Sequence, residues 1–155
     1  MNYLPSCLIV CGLLAVSLGA SAQQPAAADC PVLPGGSNLH WEQQQRDGYV
    51  LCKALDGNDE DAFNVMLTSQ EPNLHLARAL RAERAQFADQ SIHWYRMDLV
   101  ADNSERAQFR RITIAKLGKN QYAQLWFNAS NQAEVDTRIQ QIGSLRLHNT
   151  LLGNR

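Results

Sequence analysis

Residues 1–22 contain no Asp, Glu, Lys or Arg. Leu8 to Leu18 is apolar apart from Gly12 and Ser17, and Ala20-Ser21-Ala22 follows. An uncharged leader with a short apolar core and a small-x-small end reads as a secretory signal peptide cleaved before Gln23. The core is shorter than the about 20 apolar residues of a membrane span, so no span is expected once the leader is removed. Cys7 and Cys11 lie too early for a lipoprotein site. Cysteine is scarce in the remaining 133 residues, 23–155: only Cys30 and Cys52 are left. An even pair in an exported chain reads as one disulfide. With no Cys-x-x-Cys and no neighbouring His, the pair lacks the pattern of a zinc site.

Other absences narrow the chemistry. No Ser outside the leader sits in Gly-x-Ser-x-Gly, which removes the nucleophile elbow. Gly35-Gly36 has no following Lys and helix, so there is no phosphate loop. His40, His75, His93 and His148 are scattered without the i, i+2 or i, i+4 partner of a metal site. Asp56, Asn58 and Glu60 alternate as calcium ligands do, but Asp61 stands where the loop needs Gly and Leu67 where it needs Glu. No cofactor and no metal are expected, and the chain reads as a non-enzyme.

What is present is a pattern of short strands. Gly48 to Ser69 reads as a β-hairpin: Tyr49 to Leu55, an acidic turn Asp56-Gly57-Asn58-Asp59-Glu60-Asp61, and Ala62 to Ser69. Leu39 to Glu42 suggests a short strand before it. Leu74 to Phe87, rich in Ala, Leu and Arg, has near-helical spacing of Leu76, Leu80 and Phe87 and predicts a helix, although Arg84 to Gln90 also suits a strand. Ser91 to Val100 reads as a strand, Asp102 to Glu105 as a loop, and Phe109 to Leu117 with Gln121 to Asn128 as a second hairpin around Gly118-Lys119-Asn120. Asn131 with Glu134 forms a capping box for a last helix whose stripe is Val135, Ile139 and Ile142, with Gly143 at C′. Ser144 to Leu147 reads as a closing strand. The expected fold class is α+β: a mainly antiparallel sheet with two helices packed on one side and one disulfide. The expected organisation is a signal peptide at 1–22, an extended or disordered segment at 23–38, a single α+β domain at 39–147 and a flexible tail at 148–155.

Charge is divided along the chain. Residues 23–73 hold two cations (Arg46, Lys53) against eight carboxylates, a net of −6. Residues 74–119 hold nine cations against five carboxylates, a net of +4, with Arg78, Arg81 and Arg84 at i, i+3, i+6. The whole chain, at −1, lacks the strong positive charge of a nucleic-acid binder. Asp56, Asp59, Glu60 and Asp61, four carboxylates on one hairpin tip, are the candidate contact surface for a protein partner.

Trp41-Glu42, Gly48-Tyr49-Val50-Leu51-Cys52, Trp94-Tyr95-Arg96 and Leu125-Trp126-Phe127-Asn128-Ala129, with Ile139, Ile142 and Leu145-Arg146-Leu147, resemble small bacterial periplasmic proteins with a Mog1/PsbP-like α/β sandwich. The resemblance rests on strand order and aromatic placement. It implies a non-catalytic fold used for protein binding. In size and export signal the chain is also similar to immunity and inhibitor proteins kept in the periplasm against secreted toxins. The expected function is therefore a periplasmic or secreted protein-binding module with a partner in the cell envelope. The alternatives are an envelope ligand-binding or assembly factor, and a small hydrolase with His93 or His40 as base and Asp98 as orienting acid.

Overall fold

The structure, a computed structural model, describes residues 29–97 and 105–148. The expected signal peptide, Asp98, the loop at 102–104 and most of the predicted tail lie outside these residues. Seven strands form one sheet: β1 (His40–Arg46), β2 (Tyr49–Leu55), β3 (Asp61–Thr68), β4 (Arg81–Phe87), β5 (Gln90–Arg96), β6 (Arg111–Gly118) and β7 (Gln121–Phe127). The order across the sheet is β1-β2-β3-β7-β6-β5-β4, and every neighbouring pair is antiparallel. One α-helix, α1 (Gln132–Gly143), follows the last strand. Among the described residues no helix is long and apolar enough to cross a membrane.

Both hairpins read from the sequence are present. The turns between strands are tight and use left-handed backbone, at residue types that tolerate it in Gly48 (φ 86) after Asp47, Asp59 (φ 61) at the acidic tip, Asp89 (φ 60) and Asn120 (φ 54), and at Ala88 (φ 50), whose Cβ disfavours it. β1 runs to Arg46, four residues beyond the expected Glu42, because its polar Gln43-Gln44-Gln45 pairs along β2 while remaining exposed at the sheet edge.

The first predicted helix is absent. Residues 74–77 are irregular, Arg78–Leu80 is a single 3-10 turn, and Arg81–Phe87 is strand β4. The helical propensity of Ala, Leu and Arg is worth a few tenths of a kcal/mol per residue. It yields to pairing with β5, to which the tight Ala88-Asp89 turn joins β4 directly. The fold therefore has one helix against the sheet, not two.

Residues alternating along the strands divide the sheet into two faces. The covered face carries Cys52, Ala54, Phe63, Val65, Leu125, Phe127, Trp94 and Phe87, and Val135 and Ile142 of α1 join the same buried cluster. Trp41 meets Phe63 edge-on at 5.7 Å, and Trp94 meets Phe127 at 5.1 Å. The N-cap half of the capping box is formed, with Asn131 Oδ1 accepting from the Glu134 amide at 3.0 Å, while the return bond shifts one residue back: Glu134 Oε2 accepts from the Ser130 amide at 2.8 Å. Gly143 does not occupy the left-handed C′ position. It ends the helix itself, where a Cβ would come within 3.2 Å of the Gln86 carbonyl, so glycine permits the close approach of α1 to β4.

Cys30 and Cys52 are bonded, with Cα atoms 5.6 Å apart. The disulfide fixes the entry segment to β2, aided by Trp41 Nε1, which donates to the Pro31 carbonyl at 2.7 Å. The predicted closing strand reduces to one bridge, Arg146 with Val32.

Candidate functional site

The acidic tip is a self-contained turn. Asp56 Oδ1 accepts from the amides of Asn58 (2.8 Å) and Glu60 (3.0 Å), and the Asp56 amide donates to the Glu60 carbonyl at 3.0 Å. The two amides donating to its carboxylate hold the Asp56 carboxyl below its ordinary range, with the Arg138 and His40 charges adding to the effect. Asp61 accepts from Asn64 Nδ2 at 3.0 and 3.1 Å, and Asp59 lies 3.3 Å from His40 Nε2. Three of the four predicted contact carboxylates thus serve the turn or its neighbours. Only Glu60 directs its carboxylate to no partner among the described residues.

The histidines proposed as bases do not converge. His40 is on the edge strand β1 and His93 on β5, with four strands, β2, β3, β7 and β6, between them in the sheet. Among the described residues no group of three His, Cys, Asp or Glu could hold a metal ion.

The sheet face opposite α1 is the surface that the sequence did not disclose. The register lines up a complete row across all seven strands: Glu42, Lys53, Asn64, Trp126, Ile112, Tyr95 and Arg81. Parallel to it run Gln44, Leu51, Met66, Gln124 and Ile114 on one side, and Arg46, Tyr49, Thr68, Tyr122 and Lys116 on the other. Tyr95 and His93 are two residues apart on β5 and share this face, and His93 is paired with Arg84. Leu51, Met66, Trp126, Ile114, Tyr95 and His93 are half-buried, and Tyr49 is 37% exposed. Ile112 and Tyr122 are buried without belonging to the core cluster. The helix packs on the other side, and among the described residues Leu51, Met66, Ile114, Trp126 and Tyr95 keep part of their surface open on this face.

Cations rim it. The three rows and the adjoining Arg84 present Arg46, Lys53, Arg81, Arg84 and Lys116 against the single carboxylate of Glu42. Arg81 and Arg84 are three residues apart, a spacing that would send them to opposite faces of a flat strand. A register shift between them in β4 returns both to this face. Each is held by a neutral group: Arg81 Nη2 donates to the Tyr95 hydroxyl at 3.2 Å with its guanidinium 5.7 Å from the ring centroid, and Arg84 Nε donates to Ser91 Oγ at 2.7 Å. Their charge meets no carboxylate among the described residues. Arg111, by contrast, is buried on the covered face and bonded to both oxygens of Glu83 at 2.7 Å. The period-2 signal of Leu51, Met66, Ile114 and Trp126 was present in the sequence, but only the β3–β7 pairing brings the two hairpins into one surface.

Searches against protein-family models, curated proteins and solved structures find no match.

Proposed function

We propose that the chain is an exported, non-enzymatic protein-binding module that docks an acidic partner protein on the open face of its sheet. The observation that carries this reading is the row Glu42-Lys53-Asn64-Trp126-Ile112-Tyr95-Arg81 with its flanking rows, an outward-facing aromatic and aliphatic floor edged by five cations. Tyr, Trp, Met and Arg are the residues enriched at protein interfaces, and Trp, Tyr and Arg are the usual hot spots. Half-buried aromatics on a rigid sheet lose little side-chain freedom on binding. Uncompensated guanidinium groups select a carboxylate-rich surface and speed its capture. A secreted enzyme or toxin with such a surface is the kind of partner that an inhibitor or immunity protein neutralises. The acidic tip is the weaker candidate, because its carboxylates are engaged in building the turn.

Chemical-shift mapping with poly-L-glutamate tests the reading, with poly-L-lysine and a single-stranded oligonucleotide as comparisons. Poly-L-glutamate should perturb Tyr95, Trp126, Arg84 and Lys116 and leave residues 56–61 unmoved. Preferential binding of the oligonucleotide, or of poly-L-lysine at the tip, would contradict it.

A further inference from the structure

The two edges of the sheet differ in how well they are closed. At β4 the register shift between Arg81 and Arg84 interrupts the edge, and the end of α1 abuts the Gln86 carbonyl. At β1 seven successive residues, His40 to Arg46, pair with β2 without any shift, and among the described residues nothing pairs with the outer side. Glu42 to Arg46 are all exposed. A regular, proline-free edge of this length is a template for strand addition.

The hairpin geometry says which groups are offered. A two-residue turn makes its flanking residues, Arg46 and Tyr49, a hydrogen-bonded pair. The amides of Arg46, Gln44 and Glu42 are then directed at β2, and those of Trp41, Gln43 and Gln45 point away from the sheet. We infer that β1 pairs antiparallel with β1 of a second copy of this chain, with Gln44 on the two-fold axis. Charge chooses this register. With Gln44 on the axis, Glu42 of each copy stands opposite Arg46 of the other, and Gln43 and Gln45 exchange the ladder hydrogen bonds. Placing Gln43 on the axis sets His40 against Arg46, and placing Glu42 there opposes two carboxylates. Opposite charges facing each other across strands stabilise the pair, and like charges destabilise it. A two-fold axis normal to the sheet keeps both open faces on the same side, so the assembly presents a bivalent surface.

Sedimentation velocity over a concentration series, combined with directed cross-linking, tests the inference. The purified protein should form a dimer whose population rises with concentration. Glu42→Arg and Arg46→Glu should each weaken it on the order of tenfold, since each replaces two favourable pairs by two unfavourable ones. The combined Glu42→Arg/Arg46→Glu variant should restore wild-type dimerisation. Gln44→Cys should cross-link under mild oxidation, because a non-hydrogen-bonded pair places Cα atoms about 4.5 Å apart, within disulfide range. Gln45→Cys should not cross-link. Both native cysteines of the domain are already bonded to each other. All of these positions are exposed, and far-UV circular dichroism confirms that each variant is folded. A monomer at every concentration, a dimer indifferent to the charge reversals, or cross-linking of Gln45→Cys in preference to Gln44→Cys would overturn the inference.

Discussion

Glu83 and Arg111 form an ion pair that is buried on the arginine side, and breaking it reaches the open face of the sheet indirectly. The Arg111 side chain is 4% exposed and that of Glu83 24%. Arg111 donates to both Glu83 oxygens at 2.7 Å, and its remaining Nη1 donates to the carbonyls of Gln108 (2.5 Å) and Arg110 (3.1 Å). Removing the carboxylate strands a guanidinium that has lost its charged partner and cannot neutralise itself. Breaking a buried pair costs about 3–5 kcal/mol, and the partial exposure of Glu83 puts Glu83→Ala at the lower end, about 3 kcal/mol. In a domain of this size that lowers Tm by roughly 10 °C. The double variant Glu83→Ala/Arg111→Met should recover part of the loss, since it leaves no charge buried. Burial raises the Glu83 carboxyl, but the bond and charge of Arg111 outweigh it and hold the group below its ordinary value. A depressed carboxyl stabilises the fold above the ordinary Glu range and loses that contribution as pH falls through the depressed value. The gap between wild type and Glu83→Ala should therefore close in acid. Glu83 lies between Arg81 and Arg84, at the register shift that aims both at the open face, so the variant should also blur their presentation. Urea unfolding followed by circular dichroism across pH measures the cost and its pH dependence. A cost under about 0.5 kcal/mol, typical of an ordinary surface change, or a gap independent of pH, would refute the reasoning.

Three further outcomes follow from the same structure. Replacing the disulfide by Cys30→Ala/Cys52→Ala should cost about 3 kcal/mol in the chain-entropy view, read as a lower urea midpoint, because the bridge closes a sequence separation of 22 residues. Ala88→Gly should stabilise by about 1 kcal/mol, since Ala88 is held at φ 50 where a Cβ is unfavourable; thermal unfolding checks the sign. Asp56→Asn should keep the Asn58 and Glu60 amides protected from exchange because the Asn side-chain oxygen still accepts, whereas Asp56→Ala should expose them. In the wild type the added stability that the charged Asp56 gives the turn is present above the ordinary Asp range and fades as pH falls through the lowered Asp56 value, while the neutral side chain, like Asn, still accepts from the two amides.

Local patterns carried much of the fold. Alternation around Gly48, Asp56-Gly57-Asn58 and Gly118-Lys119-Asn120 marks both hairpins, Asn131 and Glu134 mark the helix start, and the count of two remaining cysteines marks the disulfide. Two features were hidden for physical reasons. The Arg-Ala-Leu composition of residues 78–85 favours a helix locally, and only the tertiary pairing with β5 makes Arg81–Phe87 a strand. The i, i+3, i+6 arginines then change meaning: Arg81 and Arg84 share a sheet face through a register shift that has no sequence signature. The open face itself is non-local, because its central row draws one residue from each of seven strands. The acidic tip stood out for the opposite reason: it is contiguous. Contiguity says nothing of availability, and its carboxylates are largely occupied by their own amides and by Asn64 and His40.

The central claim is that the open face, and not the tip, binds an acidic protein. The direct measurement is calorimetric titration of the partner captured from periplasmic extract against Arg81→Glu/Arg84→Glu, Trp126→Ala and Asp59→Asn/Glu60→Gln. The account predicts that the captured partner is acidic, that Trp126→Ala and the arginine reversal each weaken binding about 30-fold or more, and that the tip variant binds as wild type. A basic partner whose affinity falls only in the tip variant would contradict it.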